Sequence, residues 1–159
     1  MTSDLNAEEI AKRITDAARL SGKSEEQLKI KITDILADYF REVVVDKALY
    51  EKAVKLSSGE TRRSDFLFGG LIIEYEPPGS FTGLTGGPKY KHAVNQTQEL
   101  IQAEAHIKEE RERFFGVVLD GYRIGFVKYR REQWMDTGPQ PVNAVTVTRL
   151  IEAIRGLKR

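Results

Sequence analysis

The sequence predicts one α/β domain in which helices flank a mixed, mostly antiparallel sheet of about four to five strands. Apolar residues recur with a helical period up to about residue 40 and again in two later segments. Between them, short segments rich in β-formers are joined by Gly-Gly and Asp-Gly turn signals. No repeat, low-complexity tract or long linker divides the 159 residues, which is a length typical of one domain.

The N-terminal third is predicted to be helical. Residues 4–20 have helical apolar spacing, and Gly22 is typical of a helix end. A second helix begins at a capping box formed by Ser24 and Gln27. Its wide apolar stripe consists of Leu28, Ile32, Ile35, Leu36, Tyr39 and Phe40. The pattern of residues 43–56 favours a helix, although this segment could begin as a strand.

Two β-hairpins and two more helices are predicted in the rest of the chain. The hairpins are residues 64–68 with 71–76 across Gly69-Gly70, and residues 114–119 with 122–129 across Asp120-Gly121. Pro77-Pro78 ends the second strand, because proline cannot donate a ladder hydrogen bond. Residues 89–112 have the pattern of one long polar helix, and residues 145–157 that of a closing helix.

Composition excludes several classes of protein. With no cysteine there is no disulfide, thiolate metal site or cysteine nucleophile. No apolar run approaches the roughly 20 residues of a membrane span, and the polar N-terminus is unlike a signal peptide. We therefore expect a cytoplasmic protein without membrane contact. The net charge of +1 is unevenly divided, because residues 121–159 carry 8 basic and 3 acidic side chains.

The first predicted hairpin brings acidic residues together. If Gly69 and Gly70 form the loop, Asp65 lies directly opposite Glu74. Glu76 shares that face, because side chains alternate along a strand. Like charges so placed destabilise a sheet, and a hard divalent cation with oxygen ligands is the usual remedy. The alternative is a set of surface acids paired with neighbouring basic residues such as Arg62 or Arg63.

The second predicted helix supplies a fourth acid. Glu25 lies within about 20° of the centre of the apolar stripe, and therefore points toward the sheet. Its alternative role is that of a first-turn acid that complements the helix dipole. The two histidines, His92 and His106, lack the spacing of metal ligands and are predicted to be ordinary polar helix residues.

The order of these features resembles the PD-(D/E)XK nuclease superfamily, the restriction-endonuclease-like fold. The similar features are Glu25 on a helix, the segment SDFLFGGLIIEYE, and then a long helix and two strands. Within this superfamily, the chain resembles nuclease-like domains that precede an adenine-specific DNA methyltransferase. The similar segments are IIEYEPPGSF (72–81), A-x-x-Q at Ala93 to Gln96, and LDGYRIGFVKYR (119–130). The resemblance covers roughly residues 24–135 of one domain spanning 1–159. Residues 1–23 would be a helical extension, and residues 136–159 a C-terminal helix leading to further domains of a longer parent.

The resemblance implies roles for individual residues. Asp65 matches the metal-binding aspartate of the family and Glu74 its second acidic ligand. Glu76 stands where the family usually has lysine, so E-x-E replaces E-x-K. In members with E-x-E the extra acid can act as a general base or a metal ligand. The residues that could support the site are Gln96, which matches a glutamine beside the active site, and the alternative cations Lys89, Lys91 and Lys128.

The implied activity is endonuclease hydrolysis of phosphodiester bonds in double-stranded DNA with Mg²⁺ or Mn²⁺. The implied context is a restriction-modification or phage-defence protein, with linked methyltransferase or specificity domains and a homodimer to cut both strands. The alternative is a catalytically inactive module of the same fold that binds DNA or docks partner domains. Phosphate contacts are expected from Arg123, Lys128, Arg130 and Arg131. Their basic segment could equally be a solvated edge or a surface that meets a following domain.

Overall fold

The computed structural model describes residues 3–39, 53–55, 61–63, 66–68, 70–105 and 108–156. These residues include four α-helices and one 3₁₀-helix. The α-helices are α1 (Ser3–Ser21), α2 (Glu25–Tyr39), α3 (Gly87–Glu104) and α4 (Ala144–Gly156), and the 3₁₀-helix is Lys108–Arg113. Within the described part of the chain, no helix is both long and apolar enough to cross a membrane.

The strands form two sheets. They are β1 (Ala53–Lys55), β2 (Thr61–Arg63), β3 (Phe66–Phe68), β4 (Leu71–Tyr75), β5 (Phe115–Leu119), β6 (Arg123–Arg130), β7 (Gln133–Asp136) and β8 (Gln140–Pro141). β1 and β2 form a separate two-stranded sheet, while the main sheet has the order β3-β4-β5-β6-β7, with β8 also paired to β6. Among the strand pairs of the described residues, β4–β5 is parallel and the others are antiparallel. The predicted α/β class, with a mixed, mostly antiparallel sheet flanked by helices, is confirmed.

The register predicted for the first hairpin is confirmed in the residues that the structure describes. Phe66 pairs with Ile73, Leu67 with Ile72 and Phe68 with Leu71. The next pair in this register would be Asp65 with Glu74. Asp65 lies outside the described residues, so its position remains a prediction.

The second hairpin turns one residue later than predicted. Leu119 pairs with Ile124, so the loop is centred on Gly121 and Tyr122 instead of Asp120 and Gly121. The cause is the side chain of Asp120, whose Oδ1 accepts hydrogen bonds from the backbone N–H groups of Tyr122 (2.9 Å) and Arg123 (2.7 Å). Aspartate side chains commonly stabilise turns in this way.

Two predicted helices are wrong in part. The long helix expected over residues 89–112 ends at Glu104, because Ala105 adopts an extended conformation with φ −82° and ψ 113°. The chain then forms the short 3₁₀-helix before β5. In the segment 43–56, Ala53–Lys55 is a strand instead of helix, and the remaining residues lie outside the described ranges.

The two faces of the main sheet are covered differently. α1, α2 and α4 pack on one face, where Leu71, Ile73 and Tyr75 of β4 join a large apolar cluster that includes Leu28 and Ile32 of α2. α3 covers the other face, where Ile72 contacts Leu100 and Ile101, and Val118 packs with Ala93 and Val94. Because side chains alternate along β4, Glu74 shares the α3 face with Ile72.

Two glycines let α3 lie close to the sheet. A Cβ atom at Gly116 of β5 would stand 2.3 Å from Cγ2 of Thr97. A Cβ atom at Gly125 of β6 would stand 2.1 Å from the hydroxyl oxygen of Tyr90. A side chain at either position would therefore push α3 away from the sheet.

Candidate acidic site

The acid pair, Glu74 and Glu76, lies at the C-terminal end of β4. Glu74 pairs in register with Val118 of β5, and the backbone N–H of Glu76 donates to the carbonyl oxygen of Leu119 at 3.0 Å. Both residues are buried, with 4% of Glu74 and 3% of Glu76 exposed. Burying two carboxylates on neighbouring positions of one face is costly unless positive charge or hydrogen bonds compensate them.

His92 of α3 supplies one compensating contact. Its Nδ1 lies 3.1 Å from Oε2 of Glu76. The imidazole side chain is 57% exposed, whereas its carboxylate partner is buried. This pair therefore connects the buried end of β4 to the surface of α3.

Three of the residues predicted to support the site, Lys89, Lys91 and Gln96, lie on two different flanks of α3. Lys89, His92 and Gln96 are spaced by three and four residues, so they are neighbours along one flank of the helix. Lys89 is exposed and Gln96 is half-buried. Lys91 lies on the other flank, where it lines an open groove of about 920 Å³ with Thr85 and other residues of the preceding loop. Of the two candidate lysines on α3, Lys89 thus shares the flank of His92, which contacts Glu76.

Glu25 approaches the sheet from the opposite side. It is half-buried in the first turn of α2, behind Ser24, whose Oγ accepts the backbone N–H of Gln27 at 3.1 Å. The apolar side chains of α2 pack on the face of the sheet opposite Glu74. Among the residues that the structure describes, no three acidic or histidine side chains form a group that could hold a metal ion. Asp65, the predicted metal-binding aspartate, is not among those residues.

Arg123 anchors the loop that follows the acid pair. Its guanidinium Nη1 donates to the carbonyl oxygens of Phe81 at 2.9 Å and Gly83 at 2.8 Å. Oδ2 of the fully buried Asp120 accepts the backbone N–H of Phe81 at 3.0 Å. Both hairpin-turn residues therefore fix the chain between β4 and α3, and Arg123 has a structural task in addition to its predicted contact with phosphate.

The other predicted phosphate-binding residues lie away from the acid pair. Lys128 and Arg130 alternate with Val127 and Tyr129 along β6, so they share the face of Phe126, opposite α3. Arg131 lies in the β6–β7 turn with φ 51°, and its backbone N–H donates to Oε2 of Glu112 at 3.0 Å. Lys128 and Arg130 therefore lie on the opposite face of the sheet from the acid pair.

Sequence reasoning missed the contribution of His92. The available signal was its spacing of four residues before Gln96, which had already been assigned to the site side of the helix. Asp120 was read only as a turn residue, and its link to the backbone of Phe81 spans 39 residues of sequence. No short-range pattern contains a contact of that kind.

Comparison of the chain with protein-family models, curated proteins and solved structures finds no match.

Proposed function

We propose that this domain is a metal-dependent nuclease that hydrolyses phosphodiester bonds of double-stranded DNA, and that the acid pair is part of its active site. The observation that carries the proposal is the burial of both carboxylates at one strand end, directly before the loop that leads to α3. Replacing buried ionic groups by apolar residues of similar size is often neutral or stabilising, so their burial is weak evidence for a role in stability.

The arrangement of elements supports the same proposal. An antiparallel hairpin, β3–β4, is followed by α3 and then by β5 parallel to β4, which is the order that the resemblance to PD-(D/E)XK nucleases implies. Glu74 and Glu76 lie on the face covered by this connecting helix.

The donor set fits a hard divalent cation. Carboxylate oxygens are the preferred protein ligands of Mg²⁺ and Mn²⁺, and Asp65 and Glu74 would hold such an ion. A bound cation supplies Lewis acidity toward a phosphoryl oxygen. Glu76 then orients His92, whose exposed ring extends from the buried carboxylate toward the surface where a substrate would lie. Lys89, an exposed cation on the same helix flank, would neutralise a phosphate.

The wider context follows from the resemblance. We propose a cytoplasmic restriction-modification or phage-defence protein, in which methyltransferase or specificity domains accompany this one and two copies cut the two strands. A non-catalytic module of the same fold is the second candidate. One observation favours it: Glu76, at the position where the family usually has lysine, is paired with a histidine.

Cleavage of supercoiled plasmid DNA by the purified chain separates the two candidates. With Mg²⁺ or Mn²⁺ we expect nicked and linear products from the wild type, and none from Asp65→Asn or Glu74→Gln. Glu9→Gln, which removes an exposed acid of α1, is the matched control and should retain full activity. Equal cleavage by all four proteins would exclude the acid pair as the active site. Salt-dependent DNA binding without cleavage would establish the non-catalytic module instead.

A further inference from the structure

A second pocket lies on the face of the sheet opposite the acid pair. This basic pocket, about 390 Å³ in volume, is bounded by β5, β6, β7 and α4. Its apolar part consists of Phe115, Phe126 and Met135, and its cations are Lys128, Arg130 and Arg149. The volume falls in the range of small-ligand sites, which extends from about 300 to 1,000 Å³.

The three cations converge from two elements of the fold. Lys128 and Arg130 are two residues apart on β6 and therefore point to the same face. Arg149 reaches the pocket from α4. The Nζ atom of Lys128 lies 5.5 Å from the ring centroid of Phe115, and Cζ of Arg149 lies 5.3 Å from that of Phe126. Both cations are thus held over aromatic rings.

The three cations of the basic pocket are not paired with acidic side chains of the described residues. In the described part of the chain, none of the three forms an ion pair. Asp136 also borders the pocket, but its Oδ1 accepts hydrogen bonds from the hydroxyl of Tyr90 and the backbone N–H of Gly138. Burial, followed by the charge of Arg130, lowers the pKa of Lys128, while Glu112 acts weakly in the opposite direction. An anionic ligand would relieve this repulsion.

We propose that the basic pocket binds a phosphate monoester joined to an aromatic group, which is the chemistry of a 5′-nucleotide. A phosphate monoester carries about −1.5 to −2 charges at neutral pH, a closer match to three cations than a carboxylate offers. Two arginines provide the planar forks that bind phosphate oxygens in pairs. Phe115 and Met135, which are half-buried and exposed, supply apolar surface for the base.

The basic pocket and the acid pair are independent sites. The strands of the sheet separate them, and they share no residue. The pocket would therefore bind its ligand even if the acid pair had no catalytic function. This independence makes the failure of either proposal distinguishable from failure of the other.

Titration calorimetry of the full chain with thymidine 5′-monophosphate tests the proposal. We expect saturable binding, and a loss of affinity of roughly tenfold or more in Arg149→Gln and in Lys128→Gln, since each removes a charged hydrogen-bond donor. Lys23→Gln, an exposed cation in the α1–α2 turn, is the charge-matched control and should bind like the wild type. Glu74→Gln should also leave binding unchanged.

The choice of ligands separates phosphate recognition from adventitious contacts. Thymidine and inorganic phosphate should each bind more weakly than the nucleotide, because each lacks one half of the ligand. A 5′-phosphorylated oligothymidine that binds more tightly than the mononucleotide would identify a strand end as the source of the phosphate, and weaker binding would identify a free nucleotide. Absence of nucleotide binding, or equal binding by wild type, Arg149→Gln and Lys128→Gln, would overturn the proposal.

Discussion

The two faces of the main sheet are built from the same strands yet have different chemistry. The face under α1, α2 and α4 holds the largest apolar cluster of the described residues, and β4 contributes Leu71, Ile73 and Tyr75 to it. The face under α3 receives the alternate residues of the same strand, which include the acid pair. Adjacent positions of β4 therefore differ in chemistry: Ile73 is a buried apolar residue, whereas Glu74 is a buried acidic residue.

The largest apolar cluster and the residues of the proposed active site thus lie on opposite faces of the main sheet. Groups that act together at a site must be held in a narrow range of geometry by the elements around them. α3 is held by two glycines beneath it and by the hydrogen bond from the Tyr90 hydroxyl to Asp136 of β7. Substitutions on the two faces should therefore have different consequences.

The largest effect on stability is expected on the apolar face. Ile73→Ala removes a fully buried side chain, and should lower the free energy of unfolding by about 3 kcal/mol because a cavity remains. Glu74→Gln, one residue further along β4, keeps the side-chain volume and should be neutral or stabilising, as is common for functional positions. Urea denaturation measures both. A similar loss in the two variants would make Glu74 a structural residue and remove the contrast.

A smaller effect is expected from filling the space under α3. Gly116→Ala places a methyl group against Thr97, and should cost about 1–3 kcal/mol through overpacking. Thr97→Ser removes the methyl group that the new side chain would meet, so the double variant should recover a large part of the loss. Strictly additive losses in this double-mutant cycle would show that Thr97 does not limit the approach of α3.

The hydrogen bond between the Tyr90 hydroxyl and Asp136 should make the free energy of unfolding fall at alkaline pH. Burial, with a further contribution from the hydrogen bond to Asp136, raises the pKa of Tyr90 above its ordinary value near 10. A raised folded-state pKa contributes stability that is complete below pH 10 and declines as the pH rises further. Tyr90→Phe should cost about 1 kcal/mol at neutral pH and reduce the alkaline decline. Identical alkaline profiles for the two proteins would contradict this assignment.

The smallest expected effect is a shift in the pKa of Lys128 when a charged neighbour in or near the basic pocket is removed. Arg130→Gln removes a positive neighbour and should raise the pKa of Lys128, although burial, the larger cause, remains. Glu112→Gln should lower the same pKa, because the carboxylate acts in the opposite direction. Titration of the lysine side chain by NMR measures both shifts. Shifts of the same sign would contradict the described electrostatics of the pocket.

Local chemistry in the sequence accounts for much of the fold. Gly22 ends α1 with φ 63°, Ser24 caps α2, and the Gly-Gly signal predicts the β3–β4 register correctly. The early end of α3 at Glu104 could not be read from the sequence, because the charged residues that follow are good helix formers. There the parallel pairing of Phe115 with Leu71 requires the chain to turn back, and tertiary structure overrides local propensity.

The candidate site was predictable only within single elements. Glu74 and Glu76 on one face follow from strand alternation, which needs no knowledge of the fold. The side of the sheet that each helix covers depends on topology. Helical spacing alone therefore predicts neither the packing of α2 on the face opposite Glu74 nor the position of His92 beside Glu76. Topology also determines that Lys128 and Arg130 lie on the face of the sheet opposite the acid pair, so the sequence did not predict this separation.

Calorimetric titration with Mn²⁺ tests the central claim that the α3 face carries a divalent-cation site. We expect one saturable site in the wild type and in Glu9→Gln, with binding lost in Glu74→Gln and in Asp65→Asn. Because the cation binds the folded state, it should also raise the melting temperature of the wild type and Glu9→Gln, but not that of Glu74→Gln or Asp65→Asn. Absence of Mn²⁺ binding in the wild type, or undiminished binding in Glu74→Gln, would contradict the claim.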